Sequence, residues 1–248
     1  MSSRFTAIRN QQQAVRTYDL IRHPAKGETS LFLVRHGQTS ANLSHRLAGI
    51  TDVPLDPLGE IQAMEVAERF RPVSFDALLT SPLRRARDTA RRIGEISGHV
   101  PEPVAGLEEM HFGDCENLTL AEAIVQFPEL KKMEDDLEDL DLAWPGGDSR
   151  RGFHQRVSAT FLGILERYVR QTVVVVAHGG VIGSFVAQVE GGNPSQYARY
   201  SVANCSVTEL RVTPDATEIH CWNEISHLKS VDVSPFELKM PADPQPDR

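Results

Sequence analysis

The sequence predicts an α/β fold: a three-layer sandwich with helices on both faces of a mainly parallel central sheet and an antiparallel strand at one edge. Two unbroken apolar runs, residues 30–34 and 172–177, are rich in branched side chains and are typical of strands buried on both faces. Each run leads into a histidine followed by glycine, and predicted helices alternate with strands along the chain. This alternation favours crossover units with parallel pairing.

The first half of the chain is predicted to alternate strand and helix. Two helix starts are marked by a side chain that can cap a helix followed directly by proline, at Asp56 and at Ser81. In chain order the predicted elements are a polar appendage at 1–28, a strand at 30–34, a loop at 40–55, a helix from Asp56 to about Phe70, a strand at 75–80 and a helix from Ser81 to about Ser97.

The second half ends in a predicted antiparallel hairpin. Apolar residues at helical spacing, from Phe153 to Tyr168, predict a long amphipathic helix before the second apolar run. The remaining predictions are a weak strand within 101–110, one or two acidic helices within 118–142, a helix after His178, a hairpin of 204–213 with 217–223, and a loosely ordered tail at 226–248. The main domain is predicted to cover residues 29–225.

The composition argues against several classes of partner. The 248 residues include 34 acidic and 26 basic side chains, a formal charge of −8, which disfavours nucleic acid or an anionic membrane. No stretch approaches the roughly 20 apolar residues of a membrane-spanning helix. The N-terminal residues lack the apolar core of a secretory signal, so a cytoplasmic location is expected. Cys115, Cys205 and Cys221 are irregularly spaced and are interpreted as reduced thiols.

Cationic and imidazole side chains follow three of the predicted strands. Because the carboxyl ends of parallel strands meet at one edge of a sheet, these side chains are expected to share one site. Guanidinium groups suit phosphate oxygens, and helix N-termini add positive potential, so a phosphoryl group is the expected guest. The groups are Arg35 and His36 after the first strand, Ser81 with Arg84 and Arg85 after the second, and His178 after the fourth.

These residues carry a resemblance to the histidine phosphatase superfamily, in its phosphoglycerate-mutase-like branch. The matching motifs appear in a consistent order over roughly residues 29–225, which is more specific than any single tripeptide. They are RHGQT at 35–39 with Asn42, DVPL at 52–55 with Gly59 and Gln62, SPLRRA at 81–86 with Thr89, Glu109 with Phe112 and Gly113, and AHGG at 177–180.

The resemblance implies a role for each motif residue. His36 would be the nucleophile that accepts the phosphoryl group, and Glu109 would protonate the leaving oxygen. Glu109 must then hold a proton, which a partly dry setting or a neighbouring carboxylate, Glu108 or Glu116, would favour. The other implied residues are Arg35, Arg85 and His178 on the phosphoryl oxygens, and Asn42, Gln38, Thr39 and Gly179 as further substrate contacts.

Some assignments depend on the motif alone. Only the motif selects Arg85 over Arg84, and Glu109 over Glu108 and Glu116. His111, Asp114, Cys115 and Glu116 fit no metal-binding spacing, so neither a metal ion nor a cofactor is expected. The chain departs from the family pattern in Cys115-Glu116-Asn117 and at Asp148, where the phosphatase branch commonly has Glu. These departures bear on which substrate the resemblance implies and on the shape of the local loops, and not on the phosphoryl chemistry.

Three functions are consistent with the sequence. The first is a metal-independent phosphomonoesterase acting on a small phosphorylated metabolite. The second is a phosphoglycerate mutase or related phosphotransferase, disfavoured by the short acidic stretch between Glu109 and His178, in which residues 134–141 are interpreted as a solvent-facing helix surface or part of a lid. The third is a catalytically silent protein that only binds a phosphorylated ligand. The N-terminal appendage is a candidate for homodimerisation.

Overall fold

The structure is a computed structural model that describes residues 27–132, 139–191, 194–213 and 216–229. Most of the predicted appendage at 1–28, with the dimerisation proposed for it, lies outside the described residues. The same holds for the acidic residues 134–138, the hairpin turn at 214–215 and most of the C-terminal tail.

Strands and helices alternate along the described chain, as the sequence predicts. Three short 3₁₀ helices lie between them, at Gly113–Cys115, Pro128–Lys131 and Pro194–Tyr200. The elements are β1 (Thr29–Arg35), α1 (Ser40–Leu43), α2 (Pro57–Phe70), β2 (Ala77–Thr80), α3 (Arg84–Ser97), β3 (Glu102–Pro103), α4 (Leu120–Gln126), α5 (Arg150–Arg167), β4 (Thr172–Ala177), α6 (Gly179–Gly191), β5 (Val207–Val212) and β6 (Thr217–Glu224).

The strands form one mixed sheet in the order β3-β2-β4-β1-β5-β6. Strands β3, β2, β4 and β1 pair in parallel, while β5 runs antiparallel to both β1 and β6. The predicted α/β class and the antiparallel hairpin at the sheet edge are confirmed. In the register of β1 with β4, Arg35 lies opposite Ala177, so the residues that follow these two strands leave the sheet side by side.

Two hydrophobic layers cover the sheet because successive strand residues point to opposite faces. Leu31 belongs to the layer that contains Phe161 of α5 and the apolar side of α6. Phe32, its neighbour in β1, belongs to the other layer, with Phe70 of α2 and Ile93 of α3. Across the described ranges, no helix combines the length and the apolar composition that crossing a bilayer requires.

Local capping explains where two of the helices begin. The Asp56 carboxylate accepts a hydrogen bond from the Gly59 N–H at 2.8 Å, so α2 begins at Pro57 as predicted. The predicted loop at 40–55 instead contains the one-turn helix α1. Thr39 and Asn42 each cap the backbone of the other, and this reciprocal box stabilises the turn.

The prediction that Ser81 caps a helix is wrong. Helix α3 begins three residues later, at Arg84, and its N-cap residue Leu83 makes no side-chain capping hydrogen bond. The Ser81 hydroxyl instead lies 2.8 Å from the Nε2 atom of His178. The same oxygen also accepts the Leu83 N–H at 3.3 Å, so a partner distant in sequence is added to a local contact that lies before the helix.

We expect Phe161→Ala to lower the free energy of unfolding by about 3–5 kcal/mol, because its ring is fully buried and stacks on Phe185 at a centroid distance of 4.0 Å. Urea denaturation measures the change. Val125→Ala, at a side chain that is 83% exposed, is the control and is expected to shift stability by less than about 0.5 kcal/mol. Equal destabilisation by both variants would contradict the described core.

Candidate active site

The two motif histidines lie next to each other at the end of the sheet. His36 follows β1 and His178 follows β4, and their ring centroids are 5.1 Å apart. The two side chains are buried, at 4% and 0% exposure. The predicted convergence of strand ends is therefore present in the structure, and it results from the parallel register of β1 and β4.

The hydrogen bonds of His36 determine which ring nitrogen is reactive. Its Nδ1 lies 2.7 Å from the Gly37 carbonyl oxygen, which can only accept, so Nδ1 carries the proton of the neutral ring. The Nε2 lone pair faces the Arg85 guanidinium, whose Nε donates to it at 3.3 Å. Burial, followed by the charges of Arg85 and Arg35, lowers the pKa of His36 well below 6.5. The ring is thus neutral at neutral pH.

Two buried guanidiniums surround the histidines. Arg85 is 1% exposed and donates to the carbonyl oxygens of Gly49 and Thr51, at 2.7 and 3.0 Å. Arg35 donates from Nη1 to the carbonyl of Val202 at 2.6 Å. Burial is the largest influence on Arg35 and lowers its pKa to about 10. Both cations are therefore held by backbone oxygens on loops outside their own strand and helix.

The structure distinguishes Arg85 from its neighbour Arg84. The Arg84 side chain is 56% exposed and its Nε pairs with Asp88 on the surface of α3, at 3.4 Å. Arg85, the next residue of the helix, instead points its side chain into the site, where its Nε donates to His36. The geometry agrees with the choice that the motif makes.

Two buried nitrogen atoms at this site lack a partner among the described residues. They are the Nε of Arg35 and the Nδ1 of His178. Buried polar groups are nearly always hydrogen-bonded, so these two nitrogens are available to bind a polar guest. Gly179 lies against the same guanidinium: an added Cβ there would be 3.5 Å from the Arg35 Nε. A compact anion with several acceptor oxygens fits this arrangement.

Glu109 is positioned at the start of α6. Its Oε2 accepts the Gly180 N–H and its Oε1 accepts the Met110 N–H, both at 2.9 Å. A Cβ on Gly180 would lie only 2.3 Å from the Glu109 Oε1, so the close approach of this carboxylate requires glycine. Its negative charge opposes the pKa lowering that burial causes in Arg35 and Arg85.

Glu108 and Glu116, the two other candidate carboxylates, accept hydrogen bonds from the backbone of nearby loops. Glu108 accepts the Gly106 N–H at 2.6 Å. Glu116 accepts the two N–H groups of loop 50–51, at 2.9 and 2.8 Å, and so fixes the loop that supplies carbonyls to Arg85. Of the three candidate carboxylates, Glu109 is therefore the one that contacts the N-terminus of α6.

Two polar residues of the opening motif brace the loop after β1. Gln38 donates from its side chain to Asp56 at 3.0 Å, and its backbone N–H donates to Gln62 at 2.8 Å. Thr39 is fully buried as the cap of α1. Substrate contacts by Gln38 and Thr39 stay predictions, because these donors are engaged within the protein.

Asn42 has a similar bracing role. Its Oδ1 accepts from the backbone and hydroxyl of Thr39, at 3.1 and 3.0 Å, and from the Asn204 amide at 3.3 Å. Asn204 also donates to the carbonyl of His36 at 2.9 Å. Its role as a neutral donor to substrate stays a prediction.

Sequence reasoning missed Arg156, which holds the loop that carries Glu109. From α5 its guanidinium donates to the carbonyls of Glu108 and Glu109, at 2.7 and 3.1 Å, and to Asp148 Oδ2 at 3.0 Å. Asp148 in turn accepts the His111 N–H at 3.0 Å. The aspartate that departs from the family pattern therefore belongs to this clamp. A single arginine on an amphipathic helix carries no pattern that would reveal it.

Metal-ligating side chains are not gathered here. Among the residues that the structure describes, no group of three or more His, Cys, Asp or Glu side chains is arranged to hold a metal ion. The site instead combines a neutral imidazole, a second imidazole, two guanidiniums and one carboxylate. That set can attack a phosphorus atom, hold its oxygens and move one proton.

Comparison with known proteins agrees with this geometry. A sequence model described as the histidine phosphatase superfamily (branch 1) matches residues 31–225. The uncharacterized phosphatase PhoE of Bacillus subtilis (strain 168) is 30% identical over 201 residues, which cover 81% of this chain and 97% of PhoE. Phosphoglycerate mutase-like protein 4 of Arabidopsis thaliana is 32% identical over 203 residues, covering 80% and 86% of the two chains.

Solved structures show the same likeness. A phosphoserine phosphatase mutant from Entamoeba histolytica, in complex with phosphoserine, superposes with a TM-score of 0.70 at 27% identity, covering 81% of this chain and 99% of that one. The family match extends over most of the chain and includes all the residues that build the site. The chain therefore belongs to branch 1 of the histidine phosphatase superfamily and is a phosphoric monoester hydrolase.

Proposed function

We propose that the chain is a metal-independent phosphomonoesterase that hydrolyses a small phosphorylated metabolite through a phosphohistidine on His36. The observation that carries this proposal is the pair of buried, unpartnered nitrogens, Arg35 Nε and His178 Nδ1, beside the lone pair of His36 Nε2. A phosphoryl group provides acceptor oxygens for the first two and an electrophilic phosphorus for the third.

In the first step, His36 Nε2 attacks phosphorus in line with the ester oxygen. The N–P bond forms as the P–O bond to the alcohol breaks, and Glu109, which must carry a proton once the substrate is bound, gives this proton to the departing oxygen. Arg35, Arg85 and His178 hold the remaining phosphoryl oxygens, over which charge is spread in the transition state. The products of this step are the free alcohol, a Glu109 carboxylate and phosphohistidine.

The second step returns the enzyme to its starting state. Glu109, now a carboxylate, takes a proton from a water molecule as the water oxygen attacks phosphorus. The N–P bond breaks, its electron pair returns to His36 Nε2, and inorganic phosphate leaves. Two in-line displacements thus replace one difficult hydrolysis.

The substrate is proposed to be a small phosphomonoester. The solved structure from Entamoeba histolytica holds phosphoserine, and a second structure of phosphoserine phosphatase from that organism holds 3-phosphoglyceric acid. Both ligands are compact and carry a carboxylate.

Mutase activity is the second candidate, because the mutase-like relative from Arabidopsis thaliana matches at 32% identity. In this chain the stretch between Glu109 and Asp148 contains two lysine residues, Lys131 and Lys132, and no arginine. A second phosphate on the substrate would meet net negative charge there, which supports hydrolysis over transfer.

We expect His36→Ala to lower phosphate release by about four orders of magnitude or more, because it removes the nucleophile. The measurement is inorganic phosphate from phosphoserine, 3-phosphoglycerate and sugar phosphates, with and without chelator. Wild type is also expected to form an acid-labile phosphoenzyme that His36→Ala lacks. His220→Ala, on the exposed side of β6, is the control.

Other outcomes of that experiment separate the alternatives. Movement of phosphate to the second hydroxyl of phosphoglycerate faster than its release would identify a mutase. Binding without any acid-labile label would identify a silent ligand-binding protein. Loss of wild-type activity on chelation would contradict metal independence.

We expect the His36 ring to stay neutral as the pH falls from about 8 to about 6, because burial and two nearby cations lower its pKa well below 6.5. In Arg85→Gln one cation is absent, so the pKa rises and the imidazolium forms at higher pH. NMR titration of the ring measures this shift. Arg84→Gln, at an exposed neighbour, should leave the titration unchanged. Identical curves for the two variants would refute the electrostatic role of Arg85.

We expect Glu109→Gln to lower kcat/KM, which reports only on the first step, by about 10²–10⁴-fold for alkyl phosphates, since the leaving alkoxide then lacks its acid. The loss should be much smaller for p-nitrophenyl phosphate, whose leaving group needs no proton. Glu108→Gln is the matched control, because its carboxylate binds the 106 N–H instead. An equal loss with both substrates would show that Glu109 acts by another route.

A further inference from the structure

Ser81 makes a contact for which the proposed chemistry does not yet account. Its side chain is fully buried at the end of β2, and its Oγ lies 2.8 Å from His178 Nε2. The same oxygen accepts the Leu83 N–H at 3.3 Å. The hydroxyl also has one proton to donate, and among the described residues this proton has no acceptor other than the ring nitrogen, so it is directed there. Ser81 is thus the donor and His178 Nε2 the acceptor.

This contact determines where His178 carries its proton. A neutral imidazole has one N–H, and a ring nitrogen that accepts a hydrogen bond has no proton. Burial and then the charge of Arg85 lower the pKa of His178 well below 6.5, so the ring is neutral. With Nε2 as acceptor, the proton lies on Nδ1. That atom is buried and has no partner within the described ranges.

The direction of this proton matters for an anionic guest. At neutral pH a phosphomonoester is largely dianionic, because its second pKa is about 6. Its phosphoryl oxygens therefore act as hydrogen-bond acceptors. An Nδ1–H group donates to them, whereas the other tautomer would present a lone pair to a negative oxygen.

We propose that Ser81 is a positioning residue that holds His178 in its Nδ1–H tautomer, so that the ring donates to a phosphoryl oxygen. The donation to substrate rests on the proposed function, whereas the tautomer is a property of the free protein. Ser81 acts only through His178.

The test compares wild type with Ser81→Ala, Ser81→Thr and Thr80→Val. Thr80→Val is the matched control, because it removes the adjacent buried hydroxyl, which donates to the Ser81 carbonyl at 3.1 Å and does not touch His178. The first readout is the ¹⁵N spectrum of the His178 ring in the free protein, which distinguishes protonated from unprotonated Nδ1. The second is kcat/KM for a phosphomonoester, and thermal unfolding checks that each variant is folded.

We expect a protonated Nδ1 in wild type and in Thr80→Val. In Ser81→Ala the Nδ1–H population should fall, and kcat/KM should drop about 10- to 100-fold, the loss expected for one hydrogen bond to a charged group. Ser81→Thr keeps the hydroxyl and should restore both readouts. If its extra methyl group prevents folding, the spectrum of Ser81→Ala alone decides.

Two results would overturn the inference. One is a wild-type ring that is protonated on Nε2. The other is Ser81→Ala with an unchanged tautomer, because its loss of activity would then be purely structural. A wild type that releases no phosphate yet shows the Nδ1–H ring would count against the proposed function and in favour of the tautomer assignment.

Discussion

The burial of two guanidiniums at the end of the sheet is the constraint on which the site depends. Arg35 and Arg85 are 6% and 1% exposed, and within the described residues neither forms an ion pair. Backbone carbonyls satisfy several of their N–H groups, yet a carbonyl carries no full charge to balance a cation. Glu109 is the carboxylate that counters both. A dianionic phosphoryl group supplies the missing charge together with acceptors for the unpartnered nitrogens.

The loops around the site are arranged to hold these cations. Glu116 binds loop 50–51, which places the carbonyls that meet Arg85. Asn204, just before β5, ties the carbonyl of His36 to the edge of the sheet. Arg156 holds the loop that carries Glu109. Each brace comes from a segment far along the chain, so the positions of these groups depend on tertiary contacts.

The phosphoryl end and the leaving-group end of the site have different origins. The ends of β1 and β4 and the first turn of α3 supply the groups proposed to surround phosphorus, and the same arrangement would suit any phosphomonoester. The alcohol would lie beside Glu109, near the stretch that leads to α5. That stretch is short and acidic, with the run of residues 134–141 at its centre. The relatives of this chain include one named as a phosphatase and one named as a mutase-like protein.

The sequence by itself determined the fold class and the location of the site, because buried apolar runs and the residues that follow them are local patterns. Parallel strands have a common direction, so His36 and His178 were expected at the same edge of the sheet once β1 and β4 were recognised. That β1 and β4 are neighbours, which places the two ring centroids 5.1 Å apart, was decided by the topology. Only the tertiary structure decided the hydrogen-bond partners of Ser81, Arg156 and Asn204. Ser81 has the local pattern of a helix cap but binds His178 across the sheet, 97 residues away. Arg156 and Asn204 meet their partners 48 and 168 residues away, and such contacts leave no periodic or spacing signal in a single sequence because they depend on how the loops pack.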